Sequence, residues 1–206
     1  MLKLNRRAMI ALAAAMAASP VFAQETATAV TEPGDFSLGS PDAPVKIVEY
    51  ASYTCSHCAN FHAAVFKDLK KDYIDTGKVH FTLREVYFDR YGLWAAMVAR
   101  CGGDMRYFGI HDMLFDQQQD WANPEQTPEQ AVAKLRTIGI TAGLDGAAID
   151  ACLNDQAMAE ALIARFQTNM EADGVEGTPT IFVNGTKHAN MPYADLKAII
   201  DAELAG

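Results

Sequence analysis

The chain has 206 residues, half of them hydrophobic and 21% charged, with a formal net charge of −9. That length is enough for one or two domains with a substantial core, and the composition excludes disordered and collagen-like classes. An acidic chain has no electrostatic footprint for nucleic acid or anionic lipid, so neither is expected as a partner.

Met1–Arg7 carries Lys3, Arg6 and Arg7 and no acid, Ala8–Ala18 is an unbroken apolar run, and Ser19–Ala23 ends on small residues. Residues 1–23 are therefore expected to be a secretory signal peptide cut near Ala23, because the run falls short of the ~20 residues that span a bilayer. Arg6-Arg7 fits either twin-arginine export or an ordinary positive n-region. The mature chain is expected outside the cytoplasm, where disulfides persist. Residues 24–35, rich in Thr, Ala and Glu and containing Pro33-Gly34, are expected to be a flexible arm. That arm is too short and polar for a packed dimerisation region, so a monomer is expected.

Structure is expected after Phe36. Val45–Tyr50 is β-branched and mostly apolar between Pro44 and Ser52, which predicts a buried strand. From Cys55, the apolar positions Cys58, Phe61, Val65, Phe66, Leu69 and Tyr73 recur at helical spacing until Gly77. Val79–Val86 predicts the next strand, giving a parallel strand-helix-strand unit. Residues 93–173 show no convincing strand and predict a helical block, whose best-marked start is Thr127-Pro128-Glu129-Gln130: a cap, a proline at the first helical position and a capping-box glutamine. Thr180–Val183 predicts a strand, Asn184-Gly185 a two-residue hairpin turn, Thr186–His188 the return strand, and Pro192 the opening of a C-terminal helix through Leu196, Ile199, Ile200 and Leu204. The overall expectation is an α/β fold with 93–173 as an all-helical insertion between 36–92 and 174–206.

The chemistry concentrates at Cys55-Ser56-His57-Cys58, where a buried strand feeds a helix. With Thr54 near the cap, Cys55 falls in the first helical turn, where unpaired N–H groups and the helix dipole favour a thiolate, in a pKa range of about 3.5–7.5. Cys58, one turn on, can close a short ring with it, and a stabilised thiolate makes the pair an oxidant of other thiols. Half of a zinc site is the first alternative, but no second ligand pair has matching spacing. A purely structural bridge is the second, and a ring this short stabilises little. His57 can add positive charge or a hydrogen bond at the thiolate. His62, His80, His111 and His188 show no partner pattern and are expected to be surface or satisfied residues. Glu49, inside a predicted buried strand just before the cysteines, is a candidate proton carrier, with an exposed strand end as the alternative. Cys101 and Cys152 lack catalytic spacing. In an oxidising compartment they are expected to form a structural disulfide, worth up to about 4 kcal/mol in the chain-entropy model, with two buried free thiols as the alternative. No metal or cofactor is expected.

The signal-like segment, Leu38-Gly-Ser-Pro-Asp-Ala-Pro-Val45, Val48-Glu-Tyr50, Cys55-Ser-His-Cys58 and Gly177-Thr-Pro179 together resemble the DsbA-like thiol:disulfide oxidoreductases of the bacterial periplasm, over about Phe36 to Gly206. The resemblance implies a thioredoxin fold interrupted by a helical domain, Cys55 as exposed nucleophile, Cys58 as buried partner and a cis Thr178-Pro179 peptide beside them. A cis bond there would turn the Thr178 backbone outward to pair with an extended peptide. Glu49 falls at the family's buried acid, but Leu83 stands near the place of its lysine partner, with Arg84 adjacent. Ser56 stands where well-known members carry proline. The implied function is a periplasmic oxidase that donates the Cys55–Cys58 disulfide to unfolded or partly folded exported proteins and is served by a membrane redox partner of the DsbB type. Thr178 also occurs in isomerase-type relatives, which leaves an isomerase or reductase as the alternative. A non-enzymatic metal-binding or holdase module using the cysteines as soft ligands is the third reading.

Overall fold

The strand-helix-strand unit forms the centre of the molecule in a computed structural model that describes residues 33–206. The expected signal peptide and most of the expected arm lie outside the described residues. Strands β1 (Phe36–Leu38), β2 (Val45–Ala51), β3 (Val79–Glu85), β4 (Thr180–Val183) and β5 (Thr186–Ala189) make one sheet in the order β1-β3-β2-β4-β5. Only β2 and β3 run parallel, and the other pairs are antiparallel. β2 sits in the middle, with Val45, Ile47, Glu49 and Ala51 buried on one face and Tyr50 buried and Val48 half-buried on the other, which is why its sequence is nearly continuous in apolar residues.

β1 has no counterpart in the sequence reading, since three residues carry no periodicity to detect. It is held from outside: Phe36 stacks on Tyr107 with ring centroids 3.8 Å apart, and Asp35 pairs with Arg84 at 3.2 Å and Arg165 at 2.9 Å. The end of the expected flexible arm is therefore tied down, by charges that lie far away in sequence.

The helix after the cysteines begins as α1 (Ser56–Phe61), widens into a π-helical stretch at His62–Phe66, resumes as α2 (Lys67–Leu69) and widens again at Lys70–Ile74. Phe61, Phe66 and Leu69 face the sheet, with Phe66 5.0 Å from the Phe81 ring. The helical block consists of α3 (Arg90–Cys101), α4 (Gly103–Asp116), α5 (Gln118–Trp121), α6 (Pro128–Thr141), α7 (Gly146–Leu153) and α8 (Gln156–Ala172). The Thr127–Gln130 capping box is formed, with Pro128 in the first turn. The block does not fold around a core of its own: Tyr107, Ile110, Leu114, Trp121 and Leu135 belong to the same continuous apolar cluster as Val45, Ile47 and Phe81 of the sheet. α9 (Tyr193–Ala205), capped by Pro192, closes the sheet with Leu196 and Ile200. Asn184 and Gly185 both adopt positive φ, as a tight hairpin turn requires. Among the described residues no helix is long and apolar enough to cross a membrane.

Candidate active site

β2 delivers the chain to the cysteines through Ser52, Tyr53 and Thr54. Cys55 itself is the N-cap of α1, in extended conformation, so the helix starts one residue later than the reading with Thr54 at the cap. Thr54 is used differently: its hydroxyl donates to Asp89 at 2.7 Å, and Asp89 also caps α3 through the N–H groups of Tyr91 and Gly92. Gln118, at the start of α5, donates through one Nε2 to the carbonyls of Tyr53 at 2.8 Å and Cys55 at 3.0 Å. The helical block thereby fixes the backbone that carries Cys55. No spacing rule could have found Gln118, because its partners lie more than sixty residues away.

Cys55 and Cys58 are both free thiols here, and their surroundings drive them apart. Cys55 is half-buried, and its pKa is lowered from 9.0 to about 5. The largest cause is a hydrogen bond from the Cys58 thiol, opposed by partial burial and supported by Thr178 and the backbone N–H groups of Cys58 and His57. His57 thus acts through its amide, while its exposed side chain forms no hydrogen bond among the described residues. Cys58 is fully buried, and its pKa is pushed far up, first by that same hydrogen bond, then by burial and the nearby Glu49.

Thr178 and Pro179 lie across from Cys55, joined by a cis peptide bond. The Cys55 thiol donates to the Thr178 carbonyl at 3.5 Å, so that carbonyl faces Cys55. The Thr178 hydroxyl is buried and has no hydrogen-bond partner among the described residues beside the thiol form, which leaves its proton free for a thiolate at Cys55.

Glu49 is 3% exposed, which removes the exposed strand end as its setting. Burial first and the Cys55 charge second raise its pKa from 4.5 to about 8. In the parallel register Glu49 stands opposite Leu83, an apolar residue, while Arg84 pairs with Tyr50 on the other face. Arg84 is bound there to the Tyr50 hydroxyl at 2.8 Å and Asp173 at 2.6 Å, so it does not substitute for a lysine beside Glu49.

Cys101 and Cys152, at the ends of α3 and α7, are joined in a disulfide with Cα atoms 6.0 Å apart. His62 departs from its expected surface or satisfied setting, and His111 packs beside it. Both are buried, at 2% and 1% exposure, with ring centroids 5.1 Å apart. His111 is satisfied on one side by the Tyr53 hydroxyl at 3.3 Å, but neither ring nitrogen of His62 has a hydrogen-bond partner among the described residues. Burial lowers the His62 pKa to about 4, so the ring is neutral at pH 7. The pairing is invisible in sequence because the two histidines are brought together only by packing of the α1 end on α4.

A family model described as Thioredoxin matches residues 31–202. The chain belongs to the thioredoxin family. Within it, the Wolbachia pipientis alpha-DsbA1 crystal structure superposes with a TM-score of 0.75 at 29% identity, covering 82% of this chain and 90% of that one. A Novosphingobium aromaticivorans structure named as a protein-disulfide isomerase gives 0.75 at 26% identity, covering 85% of this chain and all of that one. A Rickettsia bellii protein named as a protein-disulfide oxidoreductase is 36% identical over 168 residues, which is 81% of this chain and 63% of that protein. The chain thus spans less than two thirds of that relative's length. Its fold is the thioredoxin fold with helices added, and its structural neighbours are of DsbA type.

Proposed function

We propose that this thioredoxin-family protein is a periplasmic thiol:disulfide oxidoreductase that donates the Cys55–Cys58 disulfide to exported proteins. The observation that carries this reading is the opposed thiols, one half-exposed and lowered to about 5, the other buried and pushed up. In the oxidised protein a client thiolate attacks Cys55 Sγ, the S–S bond breaks, and Cys58 leaves as a thiolate that takes up a proton. Glu49, near Cys58 and with a pKa of about 8, is the candidate carrier of that proton. A second client thiolate then attacks its partner sulfur in the mixed disulfide, releasing Cys55 as a stable thiolate, so the client is oxidised and the pair reduced. Reoxidation falls to a membrane redox partner of the DsbB type. Residues 93–173 act as a helical module that fixes the nucleophile's backbone through Gln118, and the Cys101–Cys152 disulfide serves as its staple.

A second reading, disulfide isomerisation, is favoured by the likeness to the Novosphingobium structure named for that activity. Two incubations separate them: reduced, unfolded client with the oxidised protein, and scrambled client with the reduced protein. Rapid oxidation with little unscrambling is expected, and Cys55→Ser is expected to reduce oxidation to the uncatalysed rate. Efficient unscrambling at catalytic concentrations would establish the second reading instead.

A further inference from the structure

His62 follows Cys58 by one helical turn and opens the first π-helical stretch, yet the thiol chemistry makes no use of it. Its ring lies between Phe66 and Phe115, with centroids 5.1 and 5.2 Å away, and both nitrogens are enclosed without a hydrogen bond among the described residues. An unsatisfied buried polar group costs about 1–3 kcal/mol, and native structures tolerate few without a compensating ion, water or chemical role. What His62 does face is a donor set. Its Nε2 is 3.5 Å from Asp112 Oδ1 and 4.0 Å from Asp116 Oδ1, and one donor atom each from His62, His111 and Asp112 lie within 4.8 Å of one another.

We propose that His62, His111 and Asp112 form a divalent-metal site suited to Zn2+. Zinc bonds of about 2.0–2.2 Å to nitrogen and oxygen place neighbouring tetrahedral ligands about 3.4 Å apart, which is the His62–Asp112 separation already present. Two imidazoles and a carboxylate suit zinc and its transition-metal neighbours, whereas calcium and magnesium take oxygen ligands. The two histidines are buried, and Asp112 is 43% exposed, so an ion can enter from the solvent side of α4. Asp116 already holds Lys67 at 2.8 Å, which places it at the rim of the site and leaves the fourth position to water. A bound ion would join the redox helix to α4 without touching either thiol. This site is independent of the proposed oxidoreductase activity, and it differs from metal capture by the cysteines.

The test uses the untagged chain carrying Cys55→Ser and Cys58→Ser, stripped with chelator and titrated with Zn2+ by calorimetry. One saturable Zn2+ per chain is expected, with a raised thermal midpoint. Loss of even an outer-shell partner costs about 10- to 100-fold in metal affinity, so Asp112→Asn, at a part-exposed position, is expected to weaken binding at least about tenfold. Combined His57→Gln, His80→Gln and His188→Gln substitutions are expected to leave it unchanged. Because His62 variants can disturb the core, the histidines are followed in the folded chain by NMR, where Zn2+ should shift the His62 and His111 ring signals. No saturable one-to-one binding, a loss under about tenfold in Asp112→Asn, or unshifted His62 and His111 rings would overturn the site.

Discussion

Two buried carboxylates on neighbouring strands meet opposite fates. Glu85, on β3, accepts from the Tyr87 hydroxyl at 2.6 Å, the Tyr107 hydroxyl at 2.5 Å and Arg100 Nε at 2.7 Å, with the Arg100 guanidinium as its counter-charge. Glu49, on β2, has no hydrogen bond or ion pair from its carboxyl among the described residues, and burial with the Cys55 charge moves it to about 8. The difference teaches that burial alone does not decide what an acid does. Where the cation and hydroxyls are supplied, the carboxylate ties elements together, and here it binds β3 to α3 and α4. Where they are withheld, the acid holds a proton near neutral pH, close to the Cys55 charge.

The largest effect is expected at the saturated acid. Removing one partner of a buried ion pair costs about 3–5 kcal/mol, so Arg100→Ala should lower the unfolding free energy by about that amount in urea denaturation. A change below about 1 kcal/mol would erase the contrast between the two sites.

At the unpartnered acid the expectation is a pH dependence. The folded pKa of Glu49 is raised above its ordinary 4.5 to about 8, so the folded protein retains a proton that the unfolded chain releases. Stability is therefore lost as pH rises through that window and levels off above it. Glu49→Gln removes the loss, and the gap in stability between the two proteins should open by about 2–4 kcal/mol between acid pH and pH 9. A constant gap across the window would show that Glu49 is ionised in the folded state throughout.

A smaller effect sharpens the link between Glu49's neighbour charge and the thiols. Titration of reduced protein by thiolate absorbance should give Cys55 an apparent pKa of about 5. The depressed value stabilises the reduced form fully above the unfolded thiol pKa, and that contribution is lost as pH falls through about 5. Because Cys55 is half-exposed and screened, its worth at pH 7 is only about 1–2 kcal/mol. Cys58→Ala removes the principal donor and should raise the Cys55 pKa by about one unit or more, whereas Cys58→Ser keeps a donor and should raise it less. A Cys55 pKa above about 8 in the reduced parent protein would contradict the site described.

The Cys55-Ser-His-Cys58 motif at a strand-helix junction, the Thr127 capping box and the Asn184-Gly185 turn were legible in the chain itself, because each is made by residues a few positions apart whose backbone preferences agree. The sequence alone also determined that Glu49 lies in an apolar strand. It could not determine what Glu49 faces: Leu83 and Arg84 are equally near in sequence, and only the β2–β3 register puts the apolar one opposite and sends the arginine to Tyr50 and Asp173. The same limit hid β1, the Gln118 anchor, the Arg100–Glu85 pair and the meeting of His62 with His111. Each depends on side chains separated by 15 to 71 positions meeting across the shared core, and no local spacing encodes a contact that packing creates.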